Sequence, residues 1–252
     1  MKIKILGCFG AEMPGYRTTC FKIDDSTLVD AGAITSVLDH HEQIGIRNIL
    51  VTHAHLDHVK DIPLLADNVI GNISQPVNII SSAEVIAALK EHLLNDKIWP
   101  DFTKIPTMEN PVLRYREIEL ETPFKVNNLT VTAVRVNHTV PAVGYIISDD
   151  ENSFAISGDT ASTGRFWELT NETDRIKAVF VETSFPNSMN ELAIMSGHLT
   201  PEMMNEELKK LNSNDIPIYL YHLKPKFMDV LRDEIASIDD FDISILEQDK
   251  TY

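Results

Sequence analysis

Two cysteines, Cys8 and Cys20, are all that 252 residues contain, too few for a disulfide framework and too few for a four-cysteine zinc site. Reduced thiols are the expectation. No run approaches the roughly 18 apolar residues of a membrane span. The start, Met1-Lys2-Ile3-Lys4-Ile5-Leu6-Gly7, has neither the apolar core of a signal peptide nor a small-residue cleavage site. A cytoplasmic protein with no membrane partner is therefore expected. Positive charge is scarce as well: 22 Lys and Arg stand against 38 Asp and Glu, a net charge of −16. Holding a polyanion draws on cations that neutralise its phosphates, so long nucleic acid is a poor fit as a partner. A small anion drawn to a local metal charge is compatible with that balance.

The rest of the composition is ordinary, with 43% hydrophobic residues and no low-complexity tract, so a full core can form. Period-two alternation marks strands at Lys2 to Leu6, Thr19 to Leu28, Arg47 to Thr52 and Val77 to Ile80. Four more fall at 116–120, 129–136, 143–147 and 153–156. Helical spacing covers Ile34 to Ile44, Lys60 to Ala66 and Ser82 to Asn95, the last opened by a serine cap. The final third alternates again: strands at 178–181, 218–221 and 243–246, helices at 201–211 and 225–236. Two β-rich layers with helices outside, in one domain over 1–252, is the expected arrangement. No linker divides the chain.

Chemistry concentrates in Thr52-His53-Ala54-His55-Leu56-Asp57-His58, which follows the apolar run Ile49-Leu50-Val51. In an extended segment residues at i and i+2 point the same way, so His53 and His55 can address one ion. Asp57 and His58 fall where the chain turns into the next helix and address a neighbouring point. Imidazole with carboxylate suits zinc or another first-row divalent metal. Further donors sit where predicted strands end: His138 after Val136-Asn137, Asp159 after Ser157-Gly158, and His222 after Leu220-Tyr221. Strand ends are where a scaffold holds side chains rigidly. His40, His41 and His92 fall on predicted helices and read as structural or surface residues.

The order His53-x-His55-x-Asp57-His58, then His138, Asp159 in "SGDT" and His222 resembles the metallo-β-lactamase fold superfamily. That resemblance implies an α/β fold, an αββα four-layer sandwich with a two-metal site at one edge. "HAHLDH", "NDKIWPDF" (95–102), "VETSFP" (181–186), "GHLTPE" (197–202) and "YHLKP" (221–225) are similar to class II 3′,5′-cyclic-nucleotide phosphodiesterases. The chain departs from that pattern at Lys60-Asp61-Ile62-Pro63 and in its glycine-poor start, "GCFGAEMPG".

Carried onto this sequence, the resemblance implies that His53, His55 and His138 hold one divalent ion, Asp57, His58 and His222 a second, and Asp159 bridges them. Zinc is the expected metal, with manganese or iron as alternatives. A hydroxide shared by the ions would open a cyclic nucleotide such as cAMP or cGMP to the 5′-nucleotide. Asp57 belongs to the catalytic set as well as to the ligands. His198 is the expected general acid, held and charged by Glu182 as in the related tRNase Z enzymes, and Asp30 is expected behind a ligand imidazole. Trp99 and Phe102 offer a surface on which a base could stack. A homodimer is compatible with the family. The alternatives are a tRNase Z-like RNA 3′-processing endonuclease, disfavoured by charge and by the lack of a basic protruding arm, and a lactone or thioester hydrolase, which has no need for His198 and Glu182.

Overall fold

Alternation decides which side of each strand faces which core. In the computed structural model, which describes residues 1–252, the first sheet has six strands hydrogen-bonded in chain order: β1 (Lys4–Gly7), β2 (Cys20–Lys22), β3 (Thr27–Val29), β4 (Asn48–Leu50), β5 (Val77–Ser82) and β6 (Leu113–Ile118). Leu28, Ile49 and Ile79 lie in register across β3, β4 and β5; one residue on, so do Val29, Leu50 and Ile80. The first row is buried with residues of the outer helices. The second row is buried with residues of the other sheet.

That other sheet contains β7 (Phe124–Val126), β8 (Leu129–Arg135), β9 (Val143–Ser148), β10 (Ser153–Ile156), β11 (Ile176–Glu182), β12 (Ile218–Tyr221) and β13 (Ile243–Ile245), in the order β13-β12-β11-β10-β9-β8-β7. The helices are α1 (His40–Gly45), α2 (Leu56–Val59), α3 (Asp61–Val69), α4 (Ala83–His92), α5 (Arg165–Glu172), α6 (Asn190–Ser196), α7 (Pro201–Leu208) and α8 (Met228–Ala236). Ile62 and Leu65 of α3 and Ile86 of α4 cover the first sheet; Trp167 of α5, Leu208 of α7 and Leu231 of α8 cover the second. The result is the αββα sandwich that the sequence resemblance implies. No helix is long and apolar enough to cross a membrane. Cys8 and Cys20 are free and buried, and burial pushes the Cys8 thiol up to about 12.

Strand direction gathers the strand ends. β8 and β10 both run antiparallel to β9, and β10 to β13 are mutually parallel, so β8, β10, β11 and β12 finish along one edge. The end of β4 is tied to the same edge by Val143 N–H donating to Thr52 O at 3.0 Å. Just beneath, the fully buried Tyr145 hydroxyl crosses between the sheets to Val51 O at 2.7 Å.

Several elements differ from the sequence expectation. The helix expected over 34–44 is confined to α1, because the Asp39 and Glu42 side chains form a capping box that starts the helix at His40. Thr19 to Leu28 is two strands, broken where the Asp24 carboxylate accepts from Ser26 N–H at 2.7 Å. β7, α5 and α6 were not expected. α6 turns Leu192, Ile194 and Met195 toward solvent, so its apolar residues do not mark a core-facing stripe. The helix expected from Lys60 is α3, and a separate short helix that was not expected, α2, precedes it from Leu56 and carries Asp57 and His58.

The Tyr145 bridge is worth a typical buried hydrogen bond, about 1 kcal/mol. Val51 O also accepts from Ser81 Oγ at 2.6 Å, so Tyr145→Phe leaves no acceptor stranded. That variant is expected to lower the unfolding free energy by about 1 kcal/mol, read as a lower denaturant midpoint with an unchanged slope. An unchanged midpoint would show that the bridge does not hold the sheets.

Candidate metal centre

Every donor expected from the sequence lies at this gathered edge. His53 and His55 follow β4, and Asp57 and His58 occupy the first turn of α2. His138 follows β8, Asp159 follows β10, Glu182 ends β11, and His222 follows β12. Two sets of donors converge: His53 with His55 and His138, and Asp57 with His58 and His222, the donor atoms of each set lying within 4.8 Å of one another. In the first set the rings meet edge to face at 4.7–4.9 Å, and His138 Nε2 is 3.2 Å from His55 Nδ1. In the second, His222 Nε2 is 3.2 Å from Asp57 Oδ2 and 3.3 Å from His58 Nε2.

Asp159 stands between the sets. Its Oδ2 is 3.2 Å from His222 Nε2, 3.3 Å from His58 Nε2 and 3.7 Å from His53 Nε2. His53 and Asp159 are almost wholly buried, and His53 Nε2 and Asp159 Oδ1 have no hydrogen-bond partner. Leaving such a group unpaired costs about 1–3 kcal/mol.

The far sides of the rings explain why their lone pairs face inward. His58 Nδ1–H donates to Asp30 Oδ2 at 2.7 Å, and Thr52 Oγ1–H donates to the same oxygen at 2.8 Å. His138 Nδ1–H donates to Gly197 O at 2.8 Å, and His222 Nδ1 lies 2.8 Å from Ser184 Oγ. With Nδ1 engaged, each Nε2 is left to a ligand in the cavity. Nitrogen atoms 3.2–3.3 Å apart that turn lone pairs on one another repel unless a cation lies among them. The donor chemistry and the stranded atoms fit divalent metal, and nitrogen with carboxylate oxygen suits zinc or a neighbouring first-row ion.

Charge agrees with that fit. Burial, reinforced by the His58 charge, holds His53 well below the ordinary histidine range, and burial lowers His55 and His138 too, so these imidazoles are in the neutral, metal-binding form. Burial works against ionisation of Asp159, yet His222 and His58 outweigh it and hold this carboxyl well below its usual value. At His58 burial opposes charge, but Asp159 and Asp30 prevail and raise it well above the ordinary value. Positive charge is stabilised where the donors meet.

Backbone constraint accompanies the site. Asp30 and His222 adopt left-handed φ of 59° and 64°, uncommon for such residues. Gly10 packs on His222 so closely that a Cβ there would sit 2.7 Å from His222 Nδ1.

His198 stands over both sets, its ring 5.1 Å from that of His138 and stacked 5.2 Å from that of His222. Its Nδ1–H donates to Glu182 Oε1 at 2.8 Å. Glu182 is fully buried, and its other oxygen accepts from Ser184 Oγ at 3.1 Å. Burial disfavours a charged His198, but Glu182, followed by Asp159, overcomes it and raises the imidazole. Donor distance alone also groups His198 with His138 and Asp159; its Nδ1 is already committed to Glu182.

Sequence reasoning missed Ser184. Its hydroxyl touches Glu182, His198 and His222 at once, and the available signal was a hydroxyl two residues beyond a strand-ending glutamate. The proposed stacking surface is also corrected. Phe102 is buried in the core beneath the first sheet, with Trp99 packed against it. The side chain that faces the cavity beside His55 is the neighbouring Ile98. His40, His41 and His92 are exposed and lie outside both donor sets.

Comparison with known proteins matches residues 28–222 to the family described as beta-lactamase superfamily domain. A probable 3′,5′-cyclic-nucleotide phosphodiesterase of Yersinia pestis is 25% identical over 246 residues, 86% of this chain and 69% of that protein. A ribonuclease Z of Methanococcus maripaludis is 31% identical over 157 residues, 58% of this chain and 48% of that protein. The crystal structure of unliganded yeast PDE1 superposes with a TM-score of 0.85 over 99% of this chain and 98% of that one, at 20% identity, a likeness of fold.

Ser184 supplies a direct check on how the donors are oriented. Ser184→Ala is expected to weaken the protein's affinity for divalent metal about 10–100-fold, read by titrating purified protein against a competing chelator. Ser184→Thr is expected to retain most of that affinity, and unchanged affinity in the alanine variant would remove Ser184 from the centre's support.

Proposed function

The chain belongs to the beta-lactamase superfamily, and on that footing we propose that it is a metal-dependent phosphodiesterase that opens 3′,5′-cyclic nucleotides to 5′-nucleotides. The observation that carries this reading is the buried Glu182–His198 pair, 2.8 Å apart, standing over two converging donor sets. Acyl hydrolysis at such a site needs no such pair. Expulsion of an alkoxide from phosphorus does, because the leaving oxygen must take up a proton.

In this reading His53, His55 and His138 would hold one divalent cation and Asp57, His58 and His222 the other, with Asp159 available to both. When bound, the ions supply Lewis-acid polarisation of the phosphoryl oxygens and an acidified water. The chain's own residues do the rest. Asp30, Ser184 and the Gly197 carbonyl fix the ligand rings. Glu182 accepts Nδ1–H of His198 and keeps that ring charged, so its Nε2–H points the transferable proton away from the carboxylate. As water adds to phosphorus and the P–O3′ bond breaks, His198 gives that proton to O3′. The products are a free 3′-hydroxyl and a 5′-phosphate, with one water consumed.

The name of the Yersinia relative supports a cyclic-nucleotide substrate. A tRNase Z-like endonuclease is the second reading, supported by the name of the Methanococcus relative and opposed by a net charge of −16.

Purified protein offered cAMP, cGMP, cyclic dinucleotides and a precursor tRNA is expected to release 5′-nucleotide from the cyclic mononucleotides; cleavage of the tRNA alone would overturn the reading. His198→Ala is expected to lower kcat on a cyclic nucleotide about 10²–10⁴-fold with metal content intact. The same variant is expected to lose far less on bis(p-nitrophenyl) phosphate, whose phenolate leaves without protonation. An equal loss on both substrates would take the proton-donor role from His198.

A further inference from the structure

A cavity of about 550 Å³ opens beside His55, within the roughly 300–1,000 Å³ range of small-ligand sites. One wall is a single stripe of α4, formed by Val85, Ala88, Leu89 and the adjoining Leu93; Leu56 at the start of α2 and Ile98 in the following loop stand across from it. Nine of its thirteen lining residues are hydrophobic, so it is a slot with few groups able to read polarity. Leu56 and Ile98 are each 66% exposed, large aliphatic surface that a folded chain gains nothing by leaving in water. Besides His55, the side chains there that can hydrogen-bond are Glu84 and His92, and Glu84 is held by Arg135 at 2.6 Å. The phosphate of a cyclic nucleotide would be anchored at the donor cluster, leaving its neutral, flat, poorly hydrated part to find a place nearby. His55 belongs to both cluster and slot.

We infer that the slot between α2 and α4 takes the nucleobase and recognises it by shape and apolar contact, without reading its hydrogen-bonding edge. The inference rests on the cyclic-nucleotide reading of the donor cluster. It makes the enzyme dependent on the presence of a base but tolerant of which purine it is. A slot lined by aliphatic groups discriminates weakly between molecules that differ only in polar substituents, whereas a site built to pair with them discriminates strongly.

The test uses the metal-loaded full chain with cAMP, cGMP, a 3′,5′-cyclic ribose phosphate lacking a base, and bis(p-nitrophenyl) phosphate. The expected result is kcat/KM for cAMP and cGMP within about tenfold of each other, and a loss of about 10–100-fold for the base-free substrate, mostly in KM. Ile98→Asp at the exposed rim and Ala88→Trp in the wall are expected to raise KM for both cyclic nucleotides about tenfold or more, a penalty that shrinks when the base is absent. Calorimetry with 5′-AMP reads the same weakening without turnover. A base-free substrate as good as cAMP, or KM and 5′-AMP affinity unmoved in both variants, would overturn the inference while cyclic-nucleotide hydrolysis stood. If no cyclic nucleotide is hydrolysed but bis(p-nitrophenyl) phosphate is, and both variants weaken it, the nucleotide reading falls and the slot remains a site for a flat aromatic ester. A change of oligomeric state in both variants, seen by sedimentation, would make the slot an interface between copies and overturn its role as a base site.

Discussion

Crowding of unshared electron pairs is the constraint on which the rest of the structure turns. Five imidazoles and two carboxylates are pressed into one buried edge, with nitrogen atoms 3.2–3.3 Å apart and His53 Nε2 and Asp159 Oδ1 left without protein partners. A protein tolerates such an arrangement only when something positive relieves it, because each stranded buried group opposes folding. Within the protein the charge held on His58 offsets ionised Asp57 and Asp159, while His53, His55 and His138 are held neutral with unshared pairs that a bound cation would take up.

The fold answers the mechanical half of that problem. Parallel strands in both sheets deliver their carboxyl ends to one edge, where the backbone is already fixed by ladder hydrogen bonds and donors can be held without ordering a loop for each. Tyr145 and the Thr52–Val143 contact keep the two sheets' contributions in step. Behind the rings of His58, His138 and His222 stand Asp30, the Gly197 carbonyl and Ser184, and through Ser184 the support of His222 runs into the support of His198. The donors around His222 and the Glu182–His198 pair are therefore parts of one hydrogen-bonded unit.

What the sequence made legible was whatever depends on local spacing. The i, i+2 histidines after an apolar run, and the donors that close His138, Asp159 and His222 strands, stand out because a strand end and its donor are neighbours in the chain. The rows Leu28–Ile49–Ile79 and Val29–Leu50–Ile80 were visible as alternation for the same reason. Ser184 was not, since the partner that gives it meaning lies 38 residues away in His222. α6 escaped because Leu192, Ile194 and Met195 face outward and only Ala193 is buried. The slot escaped because Trp99 and Phe102 are the conspicuous residues of their loop, yet they turn to the core and leave Ile98 at the cavity.

The most direct measurement is a count of ions. Metal-free protein titrated with zinc and, separately, manganese, with bound metal quantified after each addition, is predicted to take two equivalents per chain, and hydrolysis of a cyclic nucleotide is predicted to appear only as the second is filled. Binding of no divalent metal, or full turnover with a single equivalent, would contradict the account.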